Sequence, residues 1–234
     1  MNQKLIISIT VIFTVVISLI GSVIFISLLL KEQNKNISDL EDVEYKVTFL
    51  STWSVKSHPY NFPNNPHFSG LIGVTHKESI LFWEVGELAT PGIKNMAELG
   101  KKDPLDDEIN TAIKNGHAYT LLSGEGISKS PGNVSLTFKL NKNYSIVTLV
   151  SMIAPSPDWF IGVSGLNLYN DDTWIDEKTV PLYPYDAGTD SGITYVAEND
   201  ATTPPEPISL IDVSNLPYSD VAFGTFTFTI ISTI

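Results

Sequence analysis

Cysteine is absent from the 234 residues, and so is arginine; all 14 basic residues are lysine. Without cysteine there is no disulfide framework, no thiolate metal site and no thiol nucleophile, so the soluble part must be held by its own core. Positive charge is scarce. Against those lysines stand 26 acidic residues and a net charge of −12. That balance argues against nucleic acid and against adsorption to anionic lipid head groups. It suits a surface that gathers divalent cations, and it equally suits plain solubility.

What the chain does have is one long apolar run. Leu5 to Leu30 is 26 residues without a charge, rich in Ile, Val, Leu and Phe. As a helix rising about 1.5 Å per residue it is ample for a bilayer core of about 30 Å. A signal peptide has a shorter apolar centre, and cutting at Gly21-Ser22 would leave Val23–Leu30 apolar and exposed. Residues 1–30 are therefore predicted to be an uncleaved transmembrane signal-anchor. A single-pass protein with its carboxy-terminal domain outside is expected, the alternative being secretion after cleavage. Lysines flank the run almost evenly, so they do not set its orientation. Residues 31–43 read as a polar linker with little to bury. Asn36-Ile37-Ser38, Asn133-Val134-Ser135 and Asn143-Tyr144-Ser145 match the N-glycosylation pattern and favour a lumenal route.

Residues 44–234 are predicted to form one domain. Tyr45–Trp53 alternates with the period of a half-buried strand, and Thr225–Ile230 alternates strictly. Ser145–Ile153, Ser-Ile-Val-Thr-Leu-Val-Ser-Met-Ile, is apolar enough for a central strand. Ser135–Lys139, Phe160–Val163, Thr179–Tyr183 and Ser191–Val196 are further strand candidates. Phe68–Val74 and Ser79–Val85 read as a hairpin around Thr75–Glu78. Two helical inserts are marked: Thr90-Pro91 and Gly100 bracket one, and Leu105–Asn115 holds the other, with Asp106, Asp107 and Glu108 at its start. Many short strands with turns between them predict an all-β antiparallel sandwich or barrel.

Two acidic turns stand out. Ala154-Pro155-Ser156-Pro157-Asp158-Trp159-Phe160 breaks one apolar run, and Tyr183-Pro184-Tyr185-Asp186-Ala187-Gly188-Thr189-Asp190-Ser191-Gly192 follows another. A sandwich can bring Asp158, Asp186 and Asp190 to one end. Oxygen ligands without His or Cys beside them suit a hard cation such as Ca²⁺. The same aspartates also suit Asx turns, the ordinary use of a loop Asp. His58, His67 and His76 fall nine residues apart, yet no fourth ligand completes a zinc site. Asp190-Ser191-Gly192 has the aspartic-protease tripeptide, but only once. Trp159 and Tyr185 are placed to pack beneath the loops or to meet a protein or glycan partner.

Phe68–His76, the Trp83…Gly86-Glu87-Leu88-Ala89 run, Gly92–Gly100, Pro155–Val163 and Tyr185–Gly192 together resemble the spondin domain family, over roughly Tyr45 to the carboxy terminus. The resemblance implies a C2-like β-sandwich used in matrix attachment and adhesion. It also implies a bound Ca²⁺ with Asp158, Asp186 and Asp190 as ligands. A further carboxylate of the family falls near Lys139 here, where no acid lies between Ile127 and Pro157, so carbonyls or water must complete the shell. The functional expectation is a membrane-anchored, calcium-stabilised extracellular module, not an enzyme, that binds a protein or glycan. A metal-dependent hydrolase on the same scaffold is the alternative.

Overall fold

The computed structural model describes residues 20–31, 41–211 and 221–233. The chain separates into two compact units, Met1–Glu41 and Asp42–Ile234. In the first, residues 20–31 form helix α1. Among the described residues no helix is long and apolar enough to cross a membrane. Most of the predicted anchor, residues 1–19, and most of the linker lie outside the described residues.

The second unit is built from two main antiparallel sheets. Four strands, β1 (Val43–Ser51), β5 (Gly132–Leu140), β10 (Glu177–Leu182) and β13 (Gly224–Thr233), run in the order β10-β13-β1-β5. The other sheet has seven: β2 (His67–Phe68), β3 (Ile72–His76), β4 (Ala118–Ser123), β6 (Ile146–Ala154), β7 (Trp159–Asn167), β11 (Tyr185–Asp186) and β12 (Ser209–Leu210). Its order is β12-β11-β7-β6-β3-β4, with β2 added on β6. A small ribbon, β8 (Tyr169–Asn170) with β9 (Thr173–Trp174), stands apart.

Alternation decides which face each strand gives to the core. In β1, Val43, Tyr45, Val47 and Phe49 are buried. They meet Phe226 and Phe228 of β13 and Val147, Leu149 and Ile153 of β6 in one core between the sheets. Each such aliphatic or aromatic side chain contributes roughly 2 kcal/mol by leaving water. The seven-stranded sheet is covered on its other face too, where Ile72, Val150 and Phe160 meet Ile93, Met96 and Ile109 of two helices. For that reason all nine residues of β6 are buried, as its largely apolar sequence predicts.

Those helices are α2 (Pro91–Leu99) and α3 (Leu105–Lys114). The Thr90 hydroxyl accepts from Ile93 N–H, Pro91 takes the first turn, and Gly100 ends α2 in the left-handed region at φ 64°. The two helices touch through Gly92, where a Cβ would come within 2.6 Å of Leu105 Cα. Across that contact Glu108 reaches the start of α2: its Oε1 accepts from Gly92 N–H at 2.7 Å and its Oε2 from the Thr90 hydroxyl at 2.7 Å. A carboxylate there satisfies orphan donors and the helix dipole together. Glu108→Ala is expected to lower unfolding free energy by about 1.5 kcal/mol. Urea denaturation checks this, and an unchanged midpoint would dismiss the cap.

Two strand predictions are corrected. Ser79–Val85 is not a strand; β3 pairs antiparallel with β4 instead, across an insert that holds both helices, with Ile72 opposite Ser123. Residues 79–85 instead drop Phe82 and Trp83 into the outer core, Trp83 lying 5.0 Å from Phe160 and 4.8 Å from Tyr185 between ring centres. Apolar content there serves as a plug, and strand periodicity does not distinguish the two uses. Ser191–Val196 is likewise a loop, tied back on itself by Ala197 N–H to Thr194 O at 3.1 Å.

Candidate functional site

The turn after β6 and the segment after β11 converge. β11 lies beside β7, pairing Tyr185 with Phe160 and Asp186 with Trp159. That pairing sets Asp186 across from the residue that follows Asp158. Ala187 N–H then donates to Asp158 O at 3.2 Å. The Asp158 side chain, fully buried, holds the next stretch: Oδ2 accepts from the Thr189 N–H at 2.7 Å, the Asp190 N–H at 3.0 Å and the Thr189 hydroxyl at 3.2 Å. Its Oδ1 is buried with no partner.

A buried carboxylate with an empty oxygen resists ionisation. Burial pushes the Asp158 carboxyl up from 3.8 to about 6; the Thr189 N–H opposes that, and the charge of Asp186 adds to it. Asp186 is also raised, by burial first, against the Gly188 N–H that holds it and with the charges of Glu206 and Asp190 adding. The acids therefore feel one another. Glu206 was not picked out from the sequence. It arrives because its N–H donates to Gly188 O at 2.8 Å, and Gly188 at φ +73° leaves no room for a Cβ, which would sit 2.0 Å from Glu206 O.

The aspartates also make the Asx turns that were the plainer reading. Asp186 Oδ1 accepts from Gly188 N–H at 2.7 Å, and Asp190 Oδ1 from Gly192 N–H at 2.8 Å. Asp190 Oδ2 accepts from Asp200 N–H at 3.0 Å, so both of its oxygens are engaged by main chain. Ser191 Oγ pairs with Thr202 Oγ1 at 2.8 Å. The Asp-Ser-Gly tripeptide thus closes a loop. Gly192 is required because a Cβ would fall 2.6 Å from Pro157 Cγ.

Among the described residues, no three His, Cys, Asp or Glu side chains are grouped so as to hold a metal ion by themselves. The chemistry of the donors nevertheless suits a hard cation in part. Asp158 Oδ1 is an unpartnered anionic oxygen in a dry place, and Asp186 lies close enough to raise its carboxyl. Ca²⁺ accepts carbonyls and water for the remainder of six to eight oxygens.

Other candidates resolve simply. His76 donates from Nδ1 to Lys77 O at 2.8 Å and its Nε2 pairs with Thr148 Oγ1 at 2.9 Å. His58 pairs with Ser57 Oγ and Val221 O, and His67 with Asn65 O. Each histidine has its own local partners, and the zinc reading gains nothing. Lys139 is exposed on β5, paired across from Glu44. Tyr185 packs on Trp83 and Phe160, and Trp159 meets Tyr195 edge-on at 5.1 Å. Both rings sit under the loops.

Comparison with known proteins bears on the whole domain. The Spondin_N family model matches residues 43–224. Spondin-1 of Gallus gallus is 33% identical over 194 residues, 78% of this chain and 24% of its own length. Spondin-2 of Homo sapiens is 33% identical over 178 residues, 74% of this chain and 53% of its own. The chain thus spans about a quarter of one relative and about half of the other. A match from the first residue of β1 to the first of β13, in a two-sheet antiparallel fold, leaves one assignment: the chain belongs to the Spondin_N family.

Proposed function

We propose that residues 42–234 form an extracellular adhesion module whose acidic loops are fixed by a bound Ca²⁺. Family membership supports the adhesive part. The calcium part is carried by one observation, the buried and unpartnered Oδ1 of Asp158. Asp158 and Asp186 would hold the ion, with Asp190 bracing the loop behind them and main-chain carbonyls or water completing the shell. The ion supplies positive charge where neighbouring carboxylates otherwise repel, so binding joins the turn after β6 to the segment after β11. Nothing in this arrangement requires substrate chemistry. The uncharged run 5–30 supports a membrane tether, with secretion after cleavage as the other route to the same outer surface; carbonate extraction of membranes separates the two.

The test is calcium-dependent melting of the full chain. Calcium is expected to raise the melting temperature in the wild type and to leave Asp158→Asn unmoved. The pH dependence has opposite signs in the two states. Without calcium the folded-state carboxyl of Asp158 titrates near 6 instead of 3.8. Protonation therefore favours the fold, and this contribution is lost as pH rises from about 4 to about 6. With calcium the ionised form is required, so the calcium increment grows as pH rises through about 6. Burial lowers the pKa of His58 and His76, which pulls the other way as pH falls. The difference between wild type and Asp158→Asn isolates the carboxyl. A calcium increment of the same size in both proteins sinks the calcium reading.

A further inference from the structure

Residues 191–200 form a closed loop beyond the acidic turns. Its neck is tied three ways: Ser191 N–H to Asp200 O at 2.7 Å, Asp200 N–H to Asp190 Oδ2 at 3.0 Å, and Thr202 N–H to Thr189 O at 3.0 Å. Its middle is pinned inward by Tyr195, 8% exposed, whose ring meets Trp53 at 5.2 Å and Trp159 at 5.1 Å. On either side of that anchor, Ile193 and Val196 stand 85% and 71% exposed. Two aliphatic side chains held in water by a braced loop carry a cost that local packing does not explain. The charged residues of this loop and of the strap that follows it are all acidic. Glu198 and Asp200 are exposed on the same loop, Glu206 on the next strap, and no basic residue occurs after Lys178.

We propose that loop 191–200 is a docking surface for a cationic, apolar protein segment, with Ile193 and Val196 as anchors and Glu198 and Asp200 as the charge match. Apolar anchors inside a charged rim are the usual anatomy of a protein contact. The acidic rim disfavours an anionic bilayer, which would otherwise accept the same aliphatic tips. This surface rests on the adhesive reading above and names its partner class.

The full chain in nanodiscs is titrated against a labelled peptide with two leucines between lysine pairs, and against its counterpart with glutamate for lysine. The lysine peptide is expected to bind and the glutamate peptide to fail. Ile193→Ser with Val196→Ser, and separately Glu198→Lys with Asp200→Lys, should each weaken binding about tenfold or more. Melting temperatures within a few degrees of wild type show the loop variants folded. Wild-type affinity in both double variants overturns the proposal, as does no peptide binding by the wild type. Loss of phosphatidylcholine vesicle binding in the aliphatic variant, with peptide binding intact, also overturns it by making lipid the occupant. Bead adhesion to a matrix coat is scored alongside. Adhesion kept by both variants leaves the adhesive reading standing without this surface; adhesion absent from the wild type, with peptide binding intact, does the reverse.

Discussion

Asp158→Ala is expected to lower the unfolding free energy by about 3 kcal/mol at pH 7 without calcium, or roughly 10 °C in melting temperature. One side-chain oxygen accepts two main-chain N–H groups and a hydroxyl from the second acidic segment. Alanine leaves those donors inside the protein with no acceptor, at about 1–3 kcal/mol for each that stays dry. A partial offset comes from removing a carboxylate whose charge is itself disfavoured by burial and by Asp186. Asp158→Asn separates the effects. It keeps an acceptor for Thr189 and Asp190 and relieves the repulsion, so its cost without calcium should stay near 1 kcal/mol. Urea denaturation of both variants, with calcium and with chelator, measures the difference. An alanine variant within about 0.5 kcal/mol of wild type would mean that this carboxylate does not join the loops.

Trp53→Ala is expected to cost about 4 kcal/mol. Trp53 is fully buried, and its ring lies 5.4 Å from Phe62, 5.5 Å from Phe68, 5.2 Å from Tyr195 and 5.5 Å from Phe223. Truncation removes the largest side chain of that cluster, and the rings around it cannot all move inward. The indole N–H faces the Tyr195 hydroxyl without forming a well-aligned hydrogen bond. Trp53→Phe therefore gives up volume and only a weak polar contact to Tyr195, and should cost nearer ~1.5 kcal/mol. Because Tyr195 leans on Trp53, the alanine variant should also lose amide exchange protection in residues 191–200 beyond the global change. Exchange by mass spectrometry reads that directly. Uniform loss across the domain would show that Trp53 stabilises the core without bracing the loop.

Much of the architecture was legible from local pattern. Strand β6 was readable because a strand covered on both faces is mostly apolar, with Thr148 and Ser151 the hydroxyl exceptions, and Ser145–Ile153 differs from its observed span by one residue at each end. Strands β1 and β13 were readable from alternation, and α2 from Thr90, Pro91 and Gly100. Residues 79–85 misled because Phe82 and Trp83 are buried by a loop folding over the sheet, a use of apolar side chains that has no period. Nor did alternation reveal that β1 pairs with β13 at the far end of the chain, since register between distant strands has no local signal.

The candidate site divides in the same way. The sequence alone determined that the domain has no cysteine staple or arginine, that its acids outnumber its bases, and that Asp158, Asp186 and Asp190 sit at breaks in apolar runs. Those are matters of composition and short-range turn chemistry. Only the tertiary structure decided that Asp158 becomes buried and clamps Thr189 and Asp190, that Asp190 turns both oxygens to main chain, and that Glu206 comes near Asp186 through Gly188. Burial and the meeting of separate loops are set by how two sheets close on a shared core, and no window of neighbouring residues contains that information.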